Sequence, residues 1–218
     1  MRELTMLLMG GIYAVFTQNL LFSGGVGASE MIRAARRNSE IMLTSILISL
    51  FSAVTAALSV GAALLIGGQR ETVSILHWRY MIFSAQYPSL HYVWHAAIFA
   101  LILLVLYVLV NVVIKFLPIK HKRIMHKRMG MSVLNALVMS VPLIIFRRGY
   151  VEIWPAIGWG LGAGVAFYCV TMLINSGMYI LQQNKAIPAM FTGVPATLIY
   201  TGLLALAFTG FAGGGMLF

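Results

Sequence analysis

Few side chains in this sequence have the types and spacing that chemistry requires. His91 and His95 stand four residues apart, so a helix would place them on one face, where such a pair can bind a metal or haem. No carboxylate or thiol lies near them in the sequence, and their neighbours Tyr92 and Trp94 are typical of an aromatic belt at a membrane surface. The lone cysteine, Cys169, excludes a disulfide framework and is more typical of a small apolar packing residue than of a ligand.

Acidic residues are also poorly placed for catalysis. The five are all Glu, and each borders a long apolar run, so none is predicted to serve as a buried proton relay. The sequence lacks the signatures of serine hydrolases, zinc peptidases and phosphate-binding loops. We therefore predict no catalytic residue and no metal ligand in this chain.

Composition instead indicates an integral membrane protein. Apolar residues make up 61% of the 218 residues and charged residues 9%, against about 25% charged in a typical soluble domain. Long runs without charge match the roughly 20 residues of a membrane-spanning helix. The sequence predicts an all-α membrane domain over 1–218 with six transmembrane helices, at about 4–26, 42–67, 94–116, 131–146, 154–181 and 193–213.

Positive charge predicts how the six spans are oriented. The loops after spans 1, 3 and 5 hold ten of the fifteen Lys and Arg residues, and cytoplasmic loops carry such an excess. We therefore expect both termini outside the cytoplasm. The basic run 120–128, within the loop 117–130, is read mainly as this topology signal and alternatively as a site for anionic lipid headgroups. Nucleic acid is not expected as a partner, because no soluble domain could hold it.

Three spans followed by three spans indicate an inverted repeat, with halves of about 1–117 and 130–218. In such proteins, short or interrupted helices at matching positions of the two halves form the central site. Span 1 is rich in glycine and amides, and span 4 is short, with Asn135 and Pro142. We predict that helices 1 and 4 are interrupted and that a mid-membrane path is lined by Gln18, Asn19, Gly24, Gly25, Gly27 and Asn135.

An alternative for the same residues is purely structural. Asn and Gln can simply link helices by hydrogen bonds, and glycine can simply allow close packing. Span 5 has glycine at positions 158, 160, 162 and 164, which gives two interleaved G-x-x-x-G pairs and predicts close packing against a neighbour. The sequence does not say whether that neighbour lies in the same chain.

The C-terminal segment 187–213 resembles the last helix of the Rnf/Nqr membrane subunits. Asn19 with Gly27-Ala28-Ser29 is similar to the family's first-helix motif, and Asn135-Ala136 is similar to its Thr-Asn-Cys motif in the fourth helix. The resemblance implies six spans in an inverted 3+3 arrangement, a prokaryotic inner membrane, and a homologous partner in an ion-translocating oxidoreductase complex. It also implies a [2Fe–2S] cluster held by one cysteine from each motif of two subunits.

The cysteine positions of both motifs differ in this chain. They hold Ser29 and Ala136; a hydroxyl is a poor substitute for thiolate at iron, and alanine has no ligand atom. We therefore expect no cofactor in this chain and a membrane subunit without its own cluster, associated with lipid and with other membrane subunits, a homologous partner or itself. The alternatives are a stand-alone transporter or channel on the same repeat, and a membrane assembly factor.

Overall fold

The structure is a computed structural model, and its regular structure over the described residues is entirely helical. The residues that it describes are 1–17, 19, 21–22, 25–36, 38–66, 88–116, 129–130, 132–147, 152–184 and 188–211. The α-helices are α1 (Arg2–Ile12), α2 (Ala28–Ala35), α3 (Asn38–Ile66), α4 (Pro88–Phe116), α5 (Ala136–Arg147), α6 (Ile153–Gln183) and α7 (Val194–Phe211).

Three of these helices are long and apolar enough to cross a membrane. The qualifying stretches are Ile41–Ala62 in α3, His95–Phe116 in α4 and Ile153–Gln183 in α6, and their composition confirms the prediction of an integral membrane protein. Shorter apolar helices are Ala136–Phe146 and Val194–Phe208. Helix α4 begins at Pro88 rather than near 94, since proline suits the first turn of a helix, whose N–H groups have no helical partner. The basic run 120–128 lies outside the described residues.

The first apolar segment, predicted to span 4–26, is not one continuous helix. A π-helical turn, Tyr13–Thr17, follows α1, Asn19 lies outside any helix, and Leu21 and Phe22 are helical again ahead of α2. Before α2, Gly25 and Gly27 have φ values of 63° and 82°, in the left-handed region that glycine adopts without steric cost. The predicted interruption of this segment is present in the structure.

The fourth apolar segment is interrupted as well, but not at its proline. Residues 132–133 are helical, the helix stops at Leu134 and Asn135, and α5 begins at Ala136. Pro142 lies inside α5, one turn and a half beyond its start. The interruption therefore precedes α5 and is made by Asn135, as described below.

Helix α6 lies at the centre of the bundle because its glycines admit the backbones of two neighbours. A Cβ at Gly158 would collide with the carbonyl of Leu7, and one at Gly162 would lie 2.5 Å from the carbonyl oxygen of Gly11. The residue numbers increase in the same direction along both helices, from Leu7 beside Gly158 to Gly11 beside Gly162, so α1 and α6 run parallel. One of the two predicted glycine pairs thus packs against α1 of the same chain.

The other glycine pair of α6 faces α3. A Cβ at Gly160 would collide with the backbone of Ala53, and one at Gly164 would collide with Ser49. Here the sequence numbers run in opposite directions, so α3 and α6 are antiparallel. The Ser49 hydroxyl donates a hydrogen bond to the carbonyl oxygen of Leu161, at 3.2 Å, across the same contact. Both glycine pairs therefore have neighbours within the chain.

Replacing Gly160 with alanine should destabilise the bundle. The new methyl group would meet the backbone of Ala53, which cannot move aside as a side chain could, and overpacking costs about 1–3 kcal/mol. Gly202→Ala is the control, because a Cβ there has no neighbour within 4 Å and alanine favours a helix. Thermal unfolding of the purified chain in detergent should show a lowered midpoint for Gly160→Ala alone; equal midpoints would contradict this packing.

Candidate site at the paired helix breaks

The two interruptions are built in the same way around an asparagine. The side-chain oxygen of Asn19 accepts a hydrogen bond from the N–H of Leu21 at 3.3 Å, and that of Asn135 accepts one from Leu137 at 3.1 Å. The backbone oxygens match too: Asn19 accepts from Phe22, and Asn135 from Val138, both at 3.1 Å. Each asparagine therefore caps the short helical segment that follows it.

Burial explains why both breaks use an asparagine. Asn19 and Asn135 are each 5% exposed, and Leu21, Phe22, Leu137 and the residues around them belong to one buried apolar cluster. Water cannot satisfy the N–H groups at the start of a helix in such surroundings, so a side chain must do so. A side-chain carbonyl one carbon from the backbone reaches the N–H two residues ahead.

The two breaks are in direct contact. A Cβ at Gly27 would lie 3.0 Å from the side-chain oxygen of Asn135 and 3.2 Å from the Cβ of Leu137. Gly27 precedes α2, and Asn135 precedes α5, so the N-terminal ends of these two helices meet here. Both the close approach and the positive φ of Gly27 require glycine. We call the contact between Gly27, Asn135 and Leu137 the junction.

The two asparagines differ in what their amide nitrogens do. The Asn19 nitrogen donates to the carbonyl oxygen of Val15 at 3.3 Å, an oxygen of the π-helical turn. The Asn135 nitrogen is fully buried and has no hydrogen-bond partner among the residues that the structure describes. Leaving a buried donor unsatisfied costs about 1–3 kcal/mol, and the hydroxyl groups of Ser52, Thr55, Ser59 and Thr171 are buried and unpaired in the same way.

The structure brings some of the predicted path residues together and leaves others apart. Asn135 and Gly27 meet at the junction, and Asn19 caps the companion break. Gly25 is exposed, and a Cβ there would have no neighbour within 4 Å. The other two predicted path residues, Gln18 and Gly24, lie outside the described residues.

The two positions that match the family's cysteines do not fit an iron–sulfur cluster. Ser29 and Ala136 are both exposed beside the junction, and neither carries a thiolate. Cys169 lies on α6 and is exposed, in a row of outward-facing residues with Val165 and Leu173. That it serves as a small apolar packing residue rather than as a ligand stays a prediction. Over the residues that the structure describes, no three His, Cys, Asp or Glu side chains group to hold a metal.

His95 is held by aromatic packing rather than grouped with other ligands. It is 1% exposed, its ring stacks on Phe146 of α5 with centroids 3.6 Å apart, and its edge contacts Phe99. These contacts join α4 to α5. The side chain of His91 lies outside the described part of the chain, so the predicted alternative of a histidine pair stays untested.

A small cavity lies where α6 ends and α7 begins. Its volume is about 140 Å³, and Gln182, Asn184 and Thr192 are among its polar lining residues. Gly193, with a φ of 77°, turns the chain into α7, and the Thr197 hydroxyl donates to the Gly193 carbonyl oxygen at 2.9 Å. The glycine and the threonine thus start α7, in the segment that carries the strongest family resemblance.

Comparison with known proteins supports the same family. The chain is 37% identical over 79 residues to a subunit of the ion-translocating oxidoreductase complex of Rhodobacter capsulatus, and 33% identical over 79 residues to the corresponding subunits of Syntrophotalea carbinolica and Cereibacter sphaeroides. The resemblance to the Rnf/Nqr membrane subunits is confirmed. Each match covers 36% of this chain and 40% of the relative. No model of a protein family matches the chain.

Removing either asparagine cap should destabilise the fold, and more so at Asn19, whose amide nitrogen also donates to Val15 whereas that of Asn135 is unpaired. Asn19→Ala and Asn135→Ala each delete a side-chain oxygen that satisfies a buried helix N–H, which typically costs about 1 kcal/mol. Aspartate at either position keeps the accepting oxygen and should recover part of the loss. Unfolding of the four variants in detergent, followed by circular dichroism, checks this; alanine variants as stable as wild type would disprove the capping role.

Proposed function

We propose that this chain is a membrane subunit of an ion-translocating oxidoreductase complex and carries no [2Fe–2S] cluster of its own. The observation that carries the proposal is the similarity to proteins that are named as subunits of such complexes. The chain spans about 40% of the length of the relatives that it matches. The arrangement of its helices gives a second, independent line of support.

The geometry supports an inverted repeat of six spans. In an inverted 3+3 arrangement, spans 2 and 5 correspond, and they are antiparallel to one another. Helices α3 and α6 occupy those places and pack antiparallel through Gly160 and Gly164. Spans 1 and 4 correspond as well, and both are interrupted by an asparagine with the same hydrogen bonds. The antiparallel packing of one corresponding pair and the matching breaks of the other both support the proposed repeat.

The proposed role follows from what the junction has and what it lacks. It offers capped helix ends, a buried amide and a close glycine contact, but Ser29 and Ala136 provide no thiolate for iron. A chain of this kind would line an ion path or scaffold a redox-active partner, and electrons would pass through other subunits. The proposed partners are other membrane subunits of the complex.

We infer an orientation with both termini outside the cytoplasm. The ion pair between Arg2 and Glu152, at 3.3 Å, joins the start of α1 to the start of α6, as expected if both face one side. Both side chains are largely exposed, so the pair adds little stability, but its geometry agrees with parallel α1 and α6. The excess of Lys and Arg in the loops after spans 1, 3 and 5 assigns the opposite side to the cytoplasm.

The second candidate is a stand-alone transporter or channel. The meeting of two interrupted helices at the junction favours it, because transporters place substrate sites where half-helices meet. The two candidates differ in their partners. A subunit of an oxidoreductase requires redox-active subunits, whereas a transporter works alone or with its own copies.

Native purification should separate the two candidates. We expect the tagged chain, extracted in mild detergent from its own cells, to co-purify with membrane subunits that carry flavin or iron. The chain purified alone should show no [2Fe–2S] absorption or electron paramagnetic resonance signal, because Ser29 and Ala136 lack thiolates. A homo-oligomer that moves ions in liposomes without partners would favour the transporter; a cluster on the isolated chain would refute the cluster-free role.

Fusions test the orientation independently. Alkaline phosphatase joined after Phe218 should be active, because this enzyme matures only outside the cytoplasm, and a fusion within the basic run 120–128 should be inactive. Green fluorescent protein at the same two positions is the matched control and should give the opposite pattern. The reverse result at both positions would invert the proposed topology.

A further inference from the structure

The amide nitrogen of Asn135 is a buried hydrogen-bond donor for which the described residues provide no acceptor. The side-chain oxygen of Asn135 is fixed by the bond from the Leu137 N–H, which fixes the amide nitrogen on the opposite branch of the same group. That nitrogen is buried, has no partner in the described part of the chain, and lies 3.4 Å from where a Gly27 Cβ would be. Its two hydrogens therefore face the junction and require an acceptor.

The helix ends at the junction favour an acceptor with negative charge. Gly27 and Asn135, which touch, are the residues just before α2 and α5, so the positive dipole ends of both helices lie near one point. Facing half-helix ends of this kind bind anionic groups inside membrane proteins. The negative charge of Glu30, in the first turn of α2, is already engaged in an ion pair with Arg33 at 3.4 Å.

The companion break shows that the feature is specific to the junction. Asn19 has the same caps, but its amide nitrogen is satisfied by the carbonyl oxygen of Val15. Of the two equivalent asparagines, only the one where two helix ends converge leaves its donor unpaired. Capping alone therefore does not explain the unpaired nitrogen.

We propose that the junction binds a small inorganic anion of halide size, held by the Asn135 amide and the N-terminal ends of α2 and α5. In this structure Gly27 closes over the amide, and the anion enters when the turn 25–27 moves away. Gly25 and Gly27, both with positive φ, are the two ends of that turn, and Gly25 is exposed. The inference does not depend on membership of an oxidoreductase complex.

The test uses the full chain in lipid nanodiscs at constant ionic strength, with bromide replacing gluconate. A ligand that binds the folded state raises the unfolding midpoint. We expect bromide to raise the midpoint of the wild-type chain and of Asn19→Asp, and to have no effect on Asn135→Asp at pH 8. Aspartate keeps the capping oxygen at both positions, so both variants should fold, while at 135 it replaces the donor with an acceptor that repels an anion.

Two outcomes would overturn the proposal. One is an unfolding midpoint of the wild-type chain that does not respond to bromide. The other is an equal loss of the response in both aspartate variants, which would show that the effect does not come from the junction. Crystals of the wild-type chain in bromide give a second measurement. An anomalous peak beside the Asn135 amide nitrogen supports the site, and a water molecule there in bromide contradicts it.

Discussion

The structure depends on satisfying backbone hydrogen bonds where two helices stop inside an apolar bundle. A backbone N–H group without a helical partner, surrounded by residues such as Leu21, Leu137 and Val138, cannot form a hydrogen bond with water. Asn19 and Asn135 solve this with a single side-chain oxygen each, and the chain can then turn without losing a hydrogen bond. The turn at Gly25 and Gly27 follows the first cap, and Gly27 contacts Asn135, which makes the second.

Close packing around α6 holds the capped breaks in position. Apolar side chains gain little by associating in a membrane, so helices must come close enough for extensive van der Waals contact. Glycines on alternate positions of α6 allow this on two sides, with α1 on one and α3 on the other. A further contact, between the rings of Phe22 and Phe208 with centroids 4.4 Å apart, ties the first break to α7. The breaks are therefore interruptions within a packed frame rather than loose loops.

The sequence could predict the frame because composition and spacing determine it locally. Charge-free runs identified α3, α4 and α6, and amides and glycines in apolar segments identified Asn19, Gly27 and Asn135. It could not predict features set by tertiary contacts. Span 4 contains both Asn135 and Pro142, and only the structure shows that α5 accommodates the proline and that the break falls at the asparagine. Likewise, Cys169 faces outward because the glycines of α6 place other faces of that helix against α1 and α3.

Capping and metal binding are separable functions of these motifs, and the geometry shows why. Asn135 directs its side chain into the buried cluster, whereas Ala136, the next residue, is exposed. On the other break, Gly27 is buried against Asn135, whereas Ser29, two residues later, is exposed. Residues that shape the backbone point inward, and the positions where the family has cysteines point outward. Because Ser29 and Ala136 are exposed, the capped breaks do not depend on thiolates at positions 29 and 136, and this chain presents two helix ends at one point without them.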